Sequence, residues 1–158
     1  MKVPVLYILL TAVVIAFTSV KPGDELKIDW KRITDKDYVV TYVKVVYDSS
    51  SQYAIDTKVK IYNTNDGARV FSKSSVKMLK ELILNQANFT DEFEEAACKP
   101  AYFPNAIVIT RHGETEGIIN IGCNEKLWNF EPKNNSAEAL MLNEKGLKLK
   151  EEIFKSIR

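Results

Sequence analysis

The sequence has few of the residues that build metal and redox centres. It contains one histidine, His112, and two cysteines, Cys98 and Cys123. A closed tetrahedral zinc site takes four such ligands, so we expect neither a metal nor another cofactor. The chain also lacks an excess of one charge, with 22 Lys and Arg against 21 Asp and Glu. Nucleic acids and anionic membrane surfaces attract excess Lys and Arg, so neither is an expected partner.

The longest stretch without a charge is residues 3–20, which follows Lys2. A basic residue followed by an apolar run is typical of a secretory signal peptide, and this run is also long enough to serve as an uncleaved anchor. We therefore expect residues 1–20 to direct export to the periplasm or the extracellular space. Residues 21–158 are then a single domain, which contacts the membrane only if residues 3–20 stay attached.

Export also determines the expected state of the two cysteines. Disulfides form and persist outside the cytoplasm, so Cys98 and Cys123 are expected to pair. In the chain-entropy model such a bridge stabilises a domain by about 3–4 kcal/mol. Two separately buried thiols are the alternative.

Strand patterns dominate the first half of the chain. Residues 38–47 are rich in β-branched and aromatic side chains, and residues 55–62 alternate between apolar and polar. Turn residues at 63–67 allow residues 68–71 to pair back as a short strand. Alternation over residues 26–30 allows a further short strand at the start of the domain.

Two segments have the periodicity of an amphipathic helix instead. Residues 73–87 carry lysines on one face, and Asn85 or Asn88 can end the helix. The other face of this helix is apolar, with Val76, Leu79, Leu82 and Ile83. Asn143 can cap a closing helix, residues 144–157. Its apolar face contains Leu147, Ile153, Phe154 and Ile157.

Residues 106–123 form two apolar runs around a polar turn, which predicts a β-hairpin. With Gly113-Glu114 as the turn, Arg111 lies opposite Glu116. Both faces of the pair are then apolar, so the hairpin should be central in its sheet. Residues 131–136 are expected to be a polar loop. The fold class is α+β, with a mostly antiparallel sheet and two main helices packed against it.

One short segment suggests chemistry. Residues 109–115 (ITRHGET) resemble the signature of the histidine phosphatase superfamily, and residues 142–146 (LNEKG) resemble the start of a later helix in that family. The resemblance implies a phosphoryl-accepting His112, with Arg111 as a phosphate clamp and Glu114 beside them.

The rest of that phosphatase pocket is missing. The family uses a second histidine, and His112 is the only one in this chain. Half a pocket does not neutralise the charge of a phosphoryl transition state. We therefore interpret the match as coincidental and expect no catalytic residues and no enzyme activity. A truncated or divergent phosphatase using His112, Arg111 and Glu114 is the alternative.

A second resemblance covers residues 70–158. They are similar to a family of small uncharacterised exported α+β proteins of Bacteroidetes-type bacteria, through Cys98-Lys99-Pro100, the strand at 106–108 and the strand at 119–123. The resemblance implies a compact, envelope-associated domain without an established activity.

A non-enzymatic binding or inhibitory module of the cell envelope fits these observations best, with a protein or a small molecule as its partner. A structural accessory tethered through residues 3–20 is the alternative outside the enzyme class. The sequence also contains two glycosylation sequons, Asn88-Phe89-Thr90 and Asn134-Asn135-Ser136, which matter only in a eukaryotic host.

Overall fold

The computed structural model describes residues 26–47, 60–63, 67–90, 103–122, 125–134 and 137–157. Eight strands among these residues form one sheet: β1 (Tyr38–Tyr47), β2 (Lys60–Asn63), β3 (Arg69–Val70), β4 (Phe89–Thr90), β5 (Asn105–Arg111), β6 (Glu114–Ile121), β7 (Leu127–Asn134) and β8 (Ala137–Leu142). Two α-helices accompany it, α1 (Lys73–Leu84) and α2 (Glu144–Lys155). The strand order is β2-β1-β5-β6-β7-β8-β4, and β3 also pairs with β1.

Every one of these pairings is antiparallel. The predicted fold class, an α+β protein with an antiparallel sheet and two main helices, is therefore confirmed. No helix among the described residues is both long and apolar enough to cross a membrane. The predicted signal peptide or anchor, residues 1–20, lies outside the described residues, as do Cys98 and Cys123.

Both helices pack on one face of the sheet. The apolar face predicted for α1 is buried there, with Leu79, Leu82 and Ile83 fully covered. The strands contribute Val40, Ile107, Ile109, Ile119, Ile121, Trp128 and Phe130 to the same core. Each fully buried side chain of this size stabilises the fold by about 1.5–3 kcal/mol, so this layer is the main source of stability.

A smaller apolar cluster lies on the opposite face of the sheet. It contains Val43, Val45, Ala106, Val108 and Ile118, with Leu26 and Ala68 packed against it. Strands β5 and β6 are therefore buried on both faces. The prediction that this hairpin is central in its sheet is confirmed.

The predicted turn of the hairpin was displaced by one residue, so the predicted pairing at its tip was wrong by two residues. The turn is His112-Gly113, so that Arg111 lies opposite Glu114. His112 and Gly113 have φ of 52° and 87°, and a two-residue hairpin turn with positive φ at both positions matches the twist of its strands. A bulge at Glu116 then shifts the ladder, which places Val108 opposite Ile118.

Three further details differ from the sequence predictions. Residues 131–134 belong to β7 rather than to a loop, because β7 lies between β6 and β8 and pairs with both. The short first strand predicted over residues 26–30 does not form: residues 26–29 belong to no strand, and Trp30–Arg32 is a 3-10 turn. Strand β3 pairs with β1 rather than back on the strand before it.

The two helices run antiparallel and are joined at both ends. At one end the hydroxyl oxygens of Ser75 and Ser156 lie 2.7 Å apart. At the other end the Asn143 amide donates to the carbonyls of Ala87 (3.0 Å) and Phe89 (3.1 Å). The orientation of α1 on the sheet is therefore fixed at both of its termini.

Two buried asparagine side chains complete the C-terminus of α1. Asn88 donates to the carbonyls of Glu81 and Leu82, at 3.3 and 3.0 Å. Asn134, at the end of β7, donates to the carbonyl of Ile83 at 2.6 Å. The last four carbonyls of a helix have no partner within it, and these amides supply partners for three of them.

Candidate functional site: a lysine-lined groove on α1

The three residues of the phosphatase signature lie at the tip of the β5–β6 hairpin. His112 occupies the turn and is exposed, and Glu114 is exposed beside it. Arg111 is the last residue of β5 and lies opposite Tyr38 of β1. Its guanidinium lies 5.4 Å from the centre of the Tyr38 ring.

Carboxylates occupy the space around this guanidinium. Arg111 lies 3.9 Å from Asp37 and 4.0 Å from Glu116. The Tyr38 hydroxyl donates to Glu116 at 2.9 Å, and burial together with this hydrogen bond raises the pKa of Tyr38. A phosphate would have to displace two acidic neighbours to reach Arg111. The geometry is that of a structural cluster between β1, β5 and β6.

Asn120 is another polar residue in the central strands. It is fully buried on the face opposite the helices, where its amide donates to Glu131 at 2.7 Å. It belongs to β6, which lies two strands away from β1, and it is distant from His112 along β6. The structure does not bring it to the hairpin tip.

A concave surface with a defined chemical character lies on the flank of α1. It is a groove of about 520 Å³ between the helix and residue 34 of the N-terminal segment. Its lining residues are Thr34, Lys73, Lys77, Lys80, Glu81 and Leu84. We call the surface formed by these six residues the lysine groove.

The helix period explains why these side chains meet. At 100° per residue, Lys73, Lys77, Lys80 and Leu84 fall within an arc of about 60° on α1. The opposite wall is fixed by Ile33, which is 1% exposed in the core and so holds Thr34 beside the helix. The Lys80 ammonium lies 3.4 Å from the Thr34 hydroxyl and links the two walls.

The charge of the groove is poorly compensated. Within the described residues, neither Lys73 nor Lys77 forms an ion pair. The first turn of α1 contains no acidic residue, although the positive end of the helix dipole favours one there. Lys73 at this end lowers the stability of the helix. Its charge also adds to the positive potential along the groove.

The sequence contains the signal for this groove. Lysines at 73, 77 and 80 have the spacing of one helical stripe, which the sequence pattern identifies only as the polar face of the helix. The pattern does not reveal that the segment around Thr34 lies alongside and turns the stripe into a concave surface.

The chain matches no protein-family model, no curated protein and no solved structure.

Proposed function

We propose that the protein is a non-enzymatic binding module that is exported to the cell envelope and that binds an anionic ligand in the lysine groove. The observation that carries the proposal is the groove itself, a 520 Å³ concavity with three lysines and one glutamate in its lining. Clefts of this size commonly accept small molecules. Lysine ammonium groups supply hydrogen-bond donors and positive charge without the fixed geometry of arginine.

The groove lies on a helix that is held at both of its ends. Helix α1 buries its other face in the main core, and both of its ends are joined to α2. A binding surface on a rigid element loses little conformational entropy when a ligand arrives. This preorganisation supports binding as the function of the groove.

Export is supported by the uncharged run at residues 3–20, and the Cys98–Cys123 disulfide is part of the same proposal. Expression of the full chain followed by cell fractionation tests the location, and the intact mass reports whether the leader is removed. Thiol titration of the unreduced, denatured protein should find no free cysteine. Recovery in the cytoplasm with two free thiols would contradict the export proposal.

The binding proposal is tested by NMR titration with citrate, a trianion, at low ionic strength. Amide shifts should change along residues 73–84 and near residue 34, and sodium chloride at matched ionic strength should not reproduce them. Lys77→Glu should remove the response, because it reverses one charge in the groove. Lys148→Glu, an exposed change on α2, is the matched control and should keep it.

An activity assay tests the non-enzymatic part. The protein should not hydrolyse para-nitrophenyl phosphate above the buffer rate. Turnover that disappears in His112→Ala would overturn this part and would support the phosphatase alternative.

A further inference from the structure

We propose that the ligand of the lysine groove is a single-chain amphiphile, with an anionic head and an unbranched apolar tail. This inference rests on the proposed function and specifies the class of ligand. It follows from three features of the groove: the apolar nature of its walls, the order of its charges along α1, and its length.

The walls of the groove are mostly apolar despite the lysines. Long lysine side chains lay their methylene stems along a surface and keep the ammonium group at its rim. Stems of this kind form the floor together with Leu84 and Thr34. A small polar anion would leave this floor in contact with water, whereas an alkyl chain would cover it and gain from its burial.

The charges are ordered along the helix axis. Lys73 and Lys77 lie towards the N-terminus of α1, where the helix dipole also favours negative charge. Glu81 and Leu84 lie at the other end, and the Glu81 carboxylate repels an anionic head there. The head is therefore placed between Lys73 and Lys77, and the tail runs towards Leu84.

The length of the groove suits a chain rather than a compact ligand. From Lys73 to Leu84 the helix rises about 17 Å, at 1.5 Å per residue. An extended alkyl chain follows such a track, with Lys80 and Thr34 on either side of it. Carboxylate and phosphate heads both suit lysine, which acts as a point charge, so the head chemistry is open between these two sources.

The experiment compares probes that differ in one property at a time, by calorimetry below their micelle concentrations with the full chain. Dodecanoate and dodecyl phosphate distinguish the two heads. Dodecyltrimethylammonium reverses the head charge, and the series from butanoate to dodecanoate varies the tail. We expect at least tenfold tighter binding of one of the two anions than of the cation. Affinity should also rise about twofold per added methylene, less than the roughly fourfold of full burial.

Two variants and one control locate the binding. Lys77→Glu should weaken dodecanoate at least tenfold, and Lys148→Glu should leave it unchanged. Leu84→Gln should reduce the dependence on chain length while citrate binding stays the same. Because the chain-length series uses the unaltered protein, the test survives if Leu84→Gln fails to fold.

Several results distinguish a failure of this inference from a failure of the proposed function. If citrate perturbs the groove but dodecanoate binds no tighter than butanoate, the protein binds anions and the amphiphile inference is wrong. Equal binding of the cationic analogue would also overturn it, as would a helical glutamate-rich peptide that binds tighter than every alkyl probe. If neither citrate nor dodecanoate responds to Lys77→Glu, the inference and the proposed function both fail.

Discussion

Replacing Gly146 with alanine should destabilise the protein, although the same substitution within a helix is normally stabilising. Gly146 lies in the first turn of α2, and alanine in a helix is normally favoured over glycine by about 1 kcal/mol. Here a Cβ atom would be forced against the carbonyl oxygen of Asn88 and would lie 2.9 Å from a methyl group of Leu142. The carbonyl is backbone and cannot rotate away, so the helix itself has to move.

The movement breaks contacts at the N-terminus of α2. The Asn143 backbone N–H donates to the Asn88 carbonyl at 3.1 Å, and the Asn143 amide donates to two neighbouring carbonyls. Each such hydrogen bond contributes about 0.5–1.5 kcal/mol, and overpacking costs typically about 1–3 kcal/mol. After the gain in propensity is subtracted, Gly146→Ala should destabilise the protein by about 1–3 kcal/mol.

Urea unfolding followed by circular dichroism measures this difference in the free energy of unfolding. Lys148→Gly, on the exposed side of α2, is the control and should cost about 1 kcal/mol through propensity alone. If Gly146→Ala is as stable as the unaltered protein or more stable, the close approach of α2 to Asn88 is wrong. The whole account of the joined helix ends would then be refuted.

Four further predictions follow from the described contacts. Asn134→Ala should destabilise by about 1–3 kcal/mol, because it leaves a buried helix carbonyl unpaired, whereas the exposed Gln86→Ala should stay within about 0.5 kcal/mol in the same urea melts. Gly113→Ala should cost about 1–2 kcal/mol through its positive φ, and His112→Ala should cost less because position 112 already carries a Cβ atom in the left-handed region. Burial, followed by the effect of a nearby carboxylate, raises the pKa of Tyr42 in the folded state, so the associated stability is complete below about pH 10 and is lost as the pH rises through the folded pKa. Melts above pH 10 should therefore show a larger loss for the unaltered protein than for Tyr42→Phe. The intact mass of protein secreted from a eukaryotic host should show no glycan.

Both helices could be predicted from the sequence because their signals are local. The period of the apolar residues identifies the buried face of α1, and Asn143 identifies the start of α2, where its side chain accepts from the Gly146 N–H at 3.0 Å. These signals need no knowledge of the partners. The class of the fold follows from them and from the alternating strands.

The hairpin register could not be predicted in the same way. Glycine favours the left-handed region, which directed the prediction to Gly113-Glu114, but histidine also tolerates that region and His112 adopts it. The bulge at Glu116 adds a second shift. The backbone carbonyl of Glu116 accepts from Ile28, a residue distant in the chain, and so the register depends on a tertiary contact that no local pattern contains.

The candidate site depends still more on tertiary structure. The lysine stripe is visible in the sequence, but the groove exists only because buried Ile33 brings Thr34 alongside α1. The residues singled out by motif, Arg111, His112 and Glu114, stay near one another because they are neighbours in a turn. Proximity in a short motif is therefore weak evidence for a site, and the concave surface came from residues that no motif joins.

The two glycosylation sequons are a second case in which the tertiary structure, and not the sequence motif, decides whether a site is accessible. Asn88 and Asn134 each have the sequence context of a glycan acceptor, but both are 1% exposed. Their amide nitrogens, the atoms that would carry a glycan, donate hydrogen bonds to the C-terminal carbonyls of α1. A glycan on either nitrogen would remove one of its hydrogens and place a bulky polar group inside the junction of α1, β7 and α2. A glycan on either of the two asparagines that complete the helix is therefore incompatible with this folded structure, and the packing that orients α1 also holds the lysine groove in place.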